Sequence, residues 1–298
     1  MYIQLHNRLD GLGSHIICYI AQIMYAHKNK YYIRYNIKNK HYIHESLFVK
    51  CLFNYIDNYN NSIIDDNSLN NIIISDNYLI RNNEKYIYDW CYSVGKVTQI
   101  LESDLLSYFF KNINIKYEYD NLVKFYKYNI PFDIKNTVLV HLRLNDVHMK
   151  PDYDGRYCSN YYKELINKNE KTFTKLRLGS SYCNRQAPLS NRKIIEQIDK
   201  IKIKYPKHEI ICITDPKSSK PLWEKDILPY KYIKNNDMNY DLFLLSQCEI
   251  IVLSRSSYAL SSLFFGQHKE IYMPLWGHFV CTGIYTKYDN NQNINYFY

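Results

Sequence analysis

Nothing in this 298-residue sequence approaches the roughly 20 consecutive apolar residues that a membrane-spanning helix needs; the stretch from His15 to Ala26 is shorter and interrupted by polar groups. Residues 1–10 lack the basic start, apolar run and small-residue cleavage site of a secretory signal, so the expectation is a cytoplasmic chain with no membrane span. The eight cysteines (18, 51, 91, 158, 183, 212, 248 and 281) form no Cys-x-x-Cys pair and no close Cys/His cluster. They read as reduced structural thiols, with no zinc site. No block of five or more like charges occurs: the net +9 (38 basic minus 29 acidic residues) is spread among Asn, Tyr and Ile, and supports only a weak pull toward anionic ligands. Glycine is scarce, 8 residues against 33 tyrosines, which matches AT-rich codon usage as well as selection. With 46% hydrophobic and 22% charged residues the composition is globular.

What is present is a repeated strand and helix pattern. Tyr2 to His6 reads as a strand, Asp10-Gly11-Leu12-Gly13 as a turn, and Ser14 as the cap of a helix from His15 to His27. In that helix Ile16, Ile17, Ile20, Ile23 and Met24 recur at helical spacing. Tyr31 to Tyr35 reads as a second strand, so the opening is a parallel α/β unit. Residues 37–130 show no clean period, and Asn58 to Asn71 has loop composition. Further on, Thr137–Leu142, Glu209–Ile213, Glu249–Leu253 and Glu270–Met273 read as strands. Asn191–Lys204, Tyr240–Gln247 and Tyr258–Phe265 read as helices between them. The expectation is two domains of β-α-β type, residues 1–133 and 134–298, with the boundary near Pro131 to Asn136.

In an open parallel sheet the ligand sits outside the carboxyl ends of the strands. Three expected strands end in polar residues: His141 with Arg143-Leu144-Asn145-Asp146, then Thr214-Asp215, then Ser254-Arg255-Ser256-Ser257. Arg143 has the fork geometry for phosphate oxygens. Ser256 and Ser257 with the backbone N–H groups behind them suit an anion, and Asp215 suits a ribose or base. Gly11 and Gly13 would let backbone approach the same ligand across a cleft.

These residues resemble a known family. Asp10-Gly11-Leu12-Gly13-Ser14-His15 before an apolar helix is similar to the G-G-L-G-N-Q or G-R-F-G-N-Q opening of the α-1,2-fucosyltransferases and protein O-fucosyltransferases. Val140-His141-Leu142-Arg143-Leu144-Asn145-Asp146 resembles their H-x-R-x-G-D motif, and Tyr161-Tyr162-Lys163 their Y-Y-K-like helix. Asp241-Leu242-Phe243-Leu244-Leu245-Ser246-Gln247-Cys248 through Ser254-Arg255-Ser256-Ser257-Tyr258 resembles D-L-x-L-M-S-x-C…S-x-S-S-F. The four matches occur in the family's order. Ser14-His15 stand where the family has Asn-Gln, and Leu144-Asn145 where it has x-Gly.

The resemblance implies a GT-B fold, two Rossmann-like domains facing a central cleft, and inverting transfer of a sugar, L-fucose, from a GDP-sugar to a glycan hydroxyl without a required metal. Carried over by position, Arg143 would bind and stabilise the leaving diphosphate and His141 would contact the nucleotide. Ser254, Ser256 and Ser257 would line the phosphate site, with Gly11, Gly13, Ser14 and Asp215 on the donor side. Asp146 is counted with Arg143 as catalytic, and for the base Asp10, Asp146, His148 and Asp152 all qualify. The implied partners are a nucleotide-sugar donor, GDP-fucose, and a glycan acceptor, with no cofactor and no nucleic acid. Two other readings stay open. One is a metal-dependent UDP-sugar transferase using the D-x-D of Asp152-Tyr153-Asp154. The other is a non-catalytic binder of nucleotide or single-stranded nucleic acid through a basic, tyrosine-rich surface.

Overall fold

The computed structural model describes residues 2–5, 11–35, 45–63, 73–74, 111–126, 128–143, 189, 191–214, 228–234, 237–274 and 293–297. In chain order the elements are β1 (Tyr2–Gln4), α1 (Leu12–Asn29), β2 (Tyr32–Arg34), α2 (Leu47–Ile63), β3 (Ile73–Ile74) and α3 (Ile115–Tyr126). There follow β4 (Thr137–Leu142), α4 (Asn191–Lys204), β5 (Glu209–Thr214), β6 (Lys231–Lys234), α5 (Met238–Gln247), β7 (Ile250–Val252), α6 (Ser257–Ser261), β8 (Glu270–Pro274) and β9 (Asn293–Phe297). The protein is therefore α/β, and every strand pair among the described residues is parallel.

Two sheets form. The first has the order β2-β1-β3 and the second β6-β5-β4-β7-β8-β9. The second sheet starts in its middle: the chain lays β5 and β6 to one side of β4, then crosses back to lay β7, β8 and β9 on the other. This is the order of a doubly wound sheet. Because helices cover both faces, its central strands are apolar throughout rather than alternating, and all six residues of β4 are buried. Val138, Val140 and Leu142 pack with Ile194, Ile198 and Ile201 of α4. On the other face Leu139, Ile211, Ile213 and Ile251 join one core with α5, α6 and the amino-terminal helices α1 and α2. That core draws side chains from both sides of residue 133.

The helices missed by periodicity are α2 and α3. α2 buries Leu47, Phe48, Val49, Cys51, Leu52, Phe53 and Ile56, and continues to Ile63, so Asn58 to Ile63 is helix where composition suggested loop. Asn60 is the reason. It is buried, its Oδ1 accepts from Ile33 N at 2.9 Å and its Nδ2 donates to Ile33 O at 2.7 Å. The side chain thus supplies edge strand β2 with the backbone partner that a further strand would give. The start of α2 is held by a residue from the other half: Asn239 Oδ1 accepts from Ser46 Oγ and Leu47 N, both at 2.9 Å. Asp237 in turn caps α5 by accepting from Asn239 N at 2.8 Å. Tyr119 of α3 stacks on Phe48, with ring centroids 5.4 Å apart, and its hydroxyl bonds to Ser246 Oγ.

Two expected boundaries shift. α1 begins at Leu12 with Gly11 as its N-cap, so Ser14 lies inside the first turn instead of capping it. The backbone N–H of His15 donates to Gly11 O at 3.3 Å, and glycine is an acceptable cap. The helix expected over Tyr258–Phe265 is α6 followed by a 3-10 turn, Ser262–Phe264. The hydroxyls of Ser261 and Ser262 donate to Tyr258 O and Ala259 O, each at 2.7 Å, and such back-bonds loosen a regular helix. Cys51, Cys212 and Cys248 are free and buried; burial pushes the Cys212 and Cys248 thiols up to about 12. Among the described residues no helix is long and apolar enough to cross a membrane.

Asn60→Ala strips both partners from a buried edge, and should cost about 1–3 kcal/mol in urea unfolding. Asn61→Ala, at an exposed position one residue on, should change stability by no more than about 0.5 kcal/mol.

Candidate functional site

The middle of the second sheet, where β4 lies beside β7, is where the chain leaves in opposite directions, the place at which open parallel sheets form a binding crevice at their strand ends. The register pairs Leu139 with Ile251 and Val140 with Val252. Continued by two or three residues it sets Leu142 beside Ser254 and Arg143 beside Arg255. The side chains follow that register. His141 Nδ1 and Ser254 Oγ share a hydrogen bond of 2.7 Å, and Arg143 Nη1 donates to Arg255 O at 2.9 Å. The chain then turns tightly, Ser256 N donating to Ser254 O at 2.8 Å, before α6 begins. On the other flank of β4, Leu142 pairs with Thr214 at the end of β5.

Burial grades across this group. His141, Thr214, Ser254, Arg255 and Ser256 are buried, whereas Arg143 and Ser257 are half-exposed. His141 is pushed down to about 3, by burial first and then by the nearby Arg143 charge. Its imidazole is therefore neutral at physiological pH, and it orders the Ser254 turn. Ser256 is the N-cap residue of α6, but its side chain makes no capping bond.

The first sheet reaches the same place through Gly13. A Cβ there would lie 2.2 Å from Tyr258 N, 2.3 Å from Tyr258 Cα and 2.5 Å from Ser257 C. The close approach that this glycine permits is thus to the α6 backbone. Gly11 is exposed, and a Cβ on it would meet nothing within 4 Å. Tyr258 is held by two further contacts: its ring centroid is 5.9 Å from that of His141, and its hydroxyl donates to Met238 O. Burial, with the Asp241 carboxylate adding to it, pushes its phenol well above the usual tyrosine range.

Comparison of the chain with protein-family models, with curated proteins and with solved structures finds no match.

Of the residues singled out from sequence, Gly11, Gly13, Ser14, His141, Arg143, Ser254, Ser256 and Ser257 belong to the two facing segments. Asp146 and Asp215 lie outside the described residues, as do Asp10, His148, Asp152, Asp154 and Tyr161 to Lys163. Two residues not singled out as site residues belong with the group. Arg255 is a second guanidinium, 3% exposed, whose carbonyl holds Arg143; Tyr258 joins His141 to Gly13. The register of β7 on β4 would have pointed to Arg255. Tyr258 is one of 33 tyrosines and carries no signal of its own.

A half-exposed guanidinium, Arg143, beside neutral His141 and the Ser254–Ser257 turn at the strand ends suits an anion. Guanidinium groups suit phosphate because their planar donors match its oxygens and their charge does not titrate. Burial around Arg255 and His141 lowers the local dielectric and strengthens any such attraction.

Two outcomes follow from this geometry. Gly13→Ala should destabilise the protein by several kcal/mol or prevent folding, because backbone on both sides must move, while Gly11→Ala should cost no more than about 1–2 kcal/mol; thermal unfolding of the two variants separates them. For pH, the folded His141 stays neutral to about 3 and buried His268, lowered by desolvation, to about 4, whereas both gain a proton near 6.5 when unfolded. The unfolded chain thus binds more protons below about 6.5, so stability should be full above that pH and fall as pH drops toward the folded values. The slope is at most about 1.4 kcal/mol per pH unit for each histidine. Urea midpoints between pH 8 and pH 4 measure it, and His141→Gln should flatten it.

Proposed function

We propose that this chain is an inverting, metal-independent glycosyltransferase of GT-B type, which transfers L-fucose from GDP-fucose to a glycan hydroxyl. Residues 134–298 bind the nucleotide sugar and residues 1–133 form the acceptor side. One observation carries the reading: the segments that resemble the fucosyltransferases, 11–15, 140–143 and 254–258, lie far apart in sequence. Yet the fold brings them together at the switch point of a doubly wound sheet.

In the proposed reaction the acceptor oxygen attacks the anomeric carbon from the face opposite the diphosphate. The new C–O bond forms as the bond to the β-phosphate oxygen breaks, and GDP departs with the electron pair. Arg143 neutralises the charge that develops on the diphosphate, the role a metal ion takes in other transferases. The hydroxyl proton passes to a base, for which Asp146 is one candidate. His141, neutral and bonded to Ser254, holds the Ser254–Ser257 turn against the donor.

Calorimetric titration with GDP, UDP and ADP, with and without Mn²⁺ and a chelator, tests the donor class. GDP should bind in preference to UDP and ADP, with the same affinity in chelator. Preference for UDP with metal would instead favour the D-x-D chemistry, and absence of binding would remove the nucleotide site. Arg143→Ala should lower turnover about a hundred-fold or more with little change in thermal unfolding; near-normal turnover overturns its role.

A further inference from the structure

The end of the second sheet opposite the crevice carries a different surface. α4 finishes there, and β5, β6 and β8 begin there. Ile203, in the last turn of α4, is 85% exposed. Lys202 and Lys204 flank it in sequence, Lys207 follows the helix, and Lys231 and Lys269 stand at the starts of β6 and β8, all exposed. Spacing in sequence does not assemble this group; two tyrosine rings do. Lys202 Nζ lies 4.8 Å from the centroid of the Tyr230 ring, and Lys204 and Lys269 lie 5.4 and 5.6 Å from that of Tyr205. Lys204 is matched by buried Glu270, and Lys231 by Glu209 at 3.6 Å. Lys202, Lys207 and Lys269 have no carboxylate partner among the described residues. The exposed carboxylate nearest Ile203 along the helix, Asp199, lies one turn back from the end.

We propose that this surface docks the protein on an anionic lipid bilayer, with Ile203 entering the acyl boundary and the surrounding lysines on the headgroups. Two features select a bilayer over other polyanions. The exposed apolar side chain, Ile203, is aliphatic, and a strand of nucleic acid would stack on aromatic rings; here lysines already lie over the Tyr205 and Tyr230 rings. Lysine stems and tyrosine rings also suit a membrane interface, where one end is apolar and the other wet. The geometry allows it: β5 separates this surface from the crevice by roughly 16 Å of strand, so a docked molecule keeps the crevice facing the aqueous side. Attraction of this kind is weak, reversible and salt-sensitive.

Flotation of the full chain with vesicles tests the proposal, comparing phosphatidylcholine alone with equal parts phosphatidylcholine and phosphatidylserine. The protein should float with the mixed vesicles only, and less so as salt rises. The triple variant Lys202→Gln, Lys207→Gln, Lys269→Gln should bind about a hundred-fold more weakly, about five-fold for each lysine. Ile203→Gln, which leaves the charge unchanged, should lose flotation at physiological salt. Absence of flotation by the unaltered chain overturns the proposal. So does flotation that Ile203→Gln leaves intact together with equal binding to a single-stranded oligonucleotide, which would assign the lysines to general polyanion attraction.

Discussion

Backbone-to-backbone contact between Gly13 and the Ser257–Tyr258 peptide is the constraint on which the arrangement rests. It joins the first turn of α1 to the first turn of α6, and so ties the first sheet to the switch point of the second. Everything near the crevice is then referred to that contact. Tyr258 is positioned by it, His141 lies against Tyr258, Ser254 is bonded to His141, and Arg143 is held by the carbonyl that follows Ser254. Elsewhere the join is reinforced by polar side chains crossing between halves, Asn239 onto the start of α2 and Tyr119 onto Ser246. A single apolar core runs beneath all of these.

The electrostatics of the crevice are set by what burial allows. A buried histidine beside an arginine is neutral, because desolvation and a like charge both disfavour its cation. Arginine keeps its charge in the same surroundings, so positive charge at the crevice resides in guanidinium groups whose strength does not vary with pH. At the other end of the sheet the logic differs. There lysines stand on the surface near tyrosine rings, and although burial pushes Glu270 up, hydrogen bonds from Lys204, Tyr272 and Tyr205 hold it below the usual carboxylate range. One end of the sheet thus carries a neutral histidine beside a guanidinium, and the other carries lysines on an exposed surface.

How far the fold could be read in advance varied with the strength of the apolar signal. β4, β5, β7 and β8 are continuous apolar runs because both of their faces are covered, and such runs stand out in any composition. The edge strands did not. β6 is Lys-Tyr-Ile-Lys with charged ends, which protects an edge but erases the pattern, and β9 likewise alternates asparagine with apolar residues. α2 was hidden because Asn60, a core residue through its two bonds to Ile33, looks like loop among the surrounding asparagines.

By itself the sequence determined the α/β class, the strand ends on which His141, Arg143 and Ser254 sit, and the turn with its two glycines. These follow from local periodicity and from where polar residues interrupt it. Only the tertiary structure decided that β4 and β7 are neighbours, that Gly13 rather than Gly11 is the position where a side chain has no room, and that Arg255 and Tyr258 belong with the crevice. It also decided that lysines from α4, β6 and the approach to β8 share one surface. Each of these is a contact between residues distant in the chain, fixed by the order in which strands lie side by side, and no spacing along the sequence encodes that order.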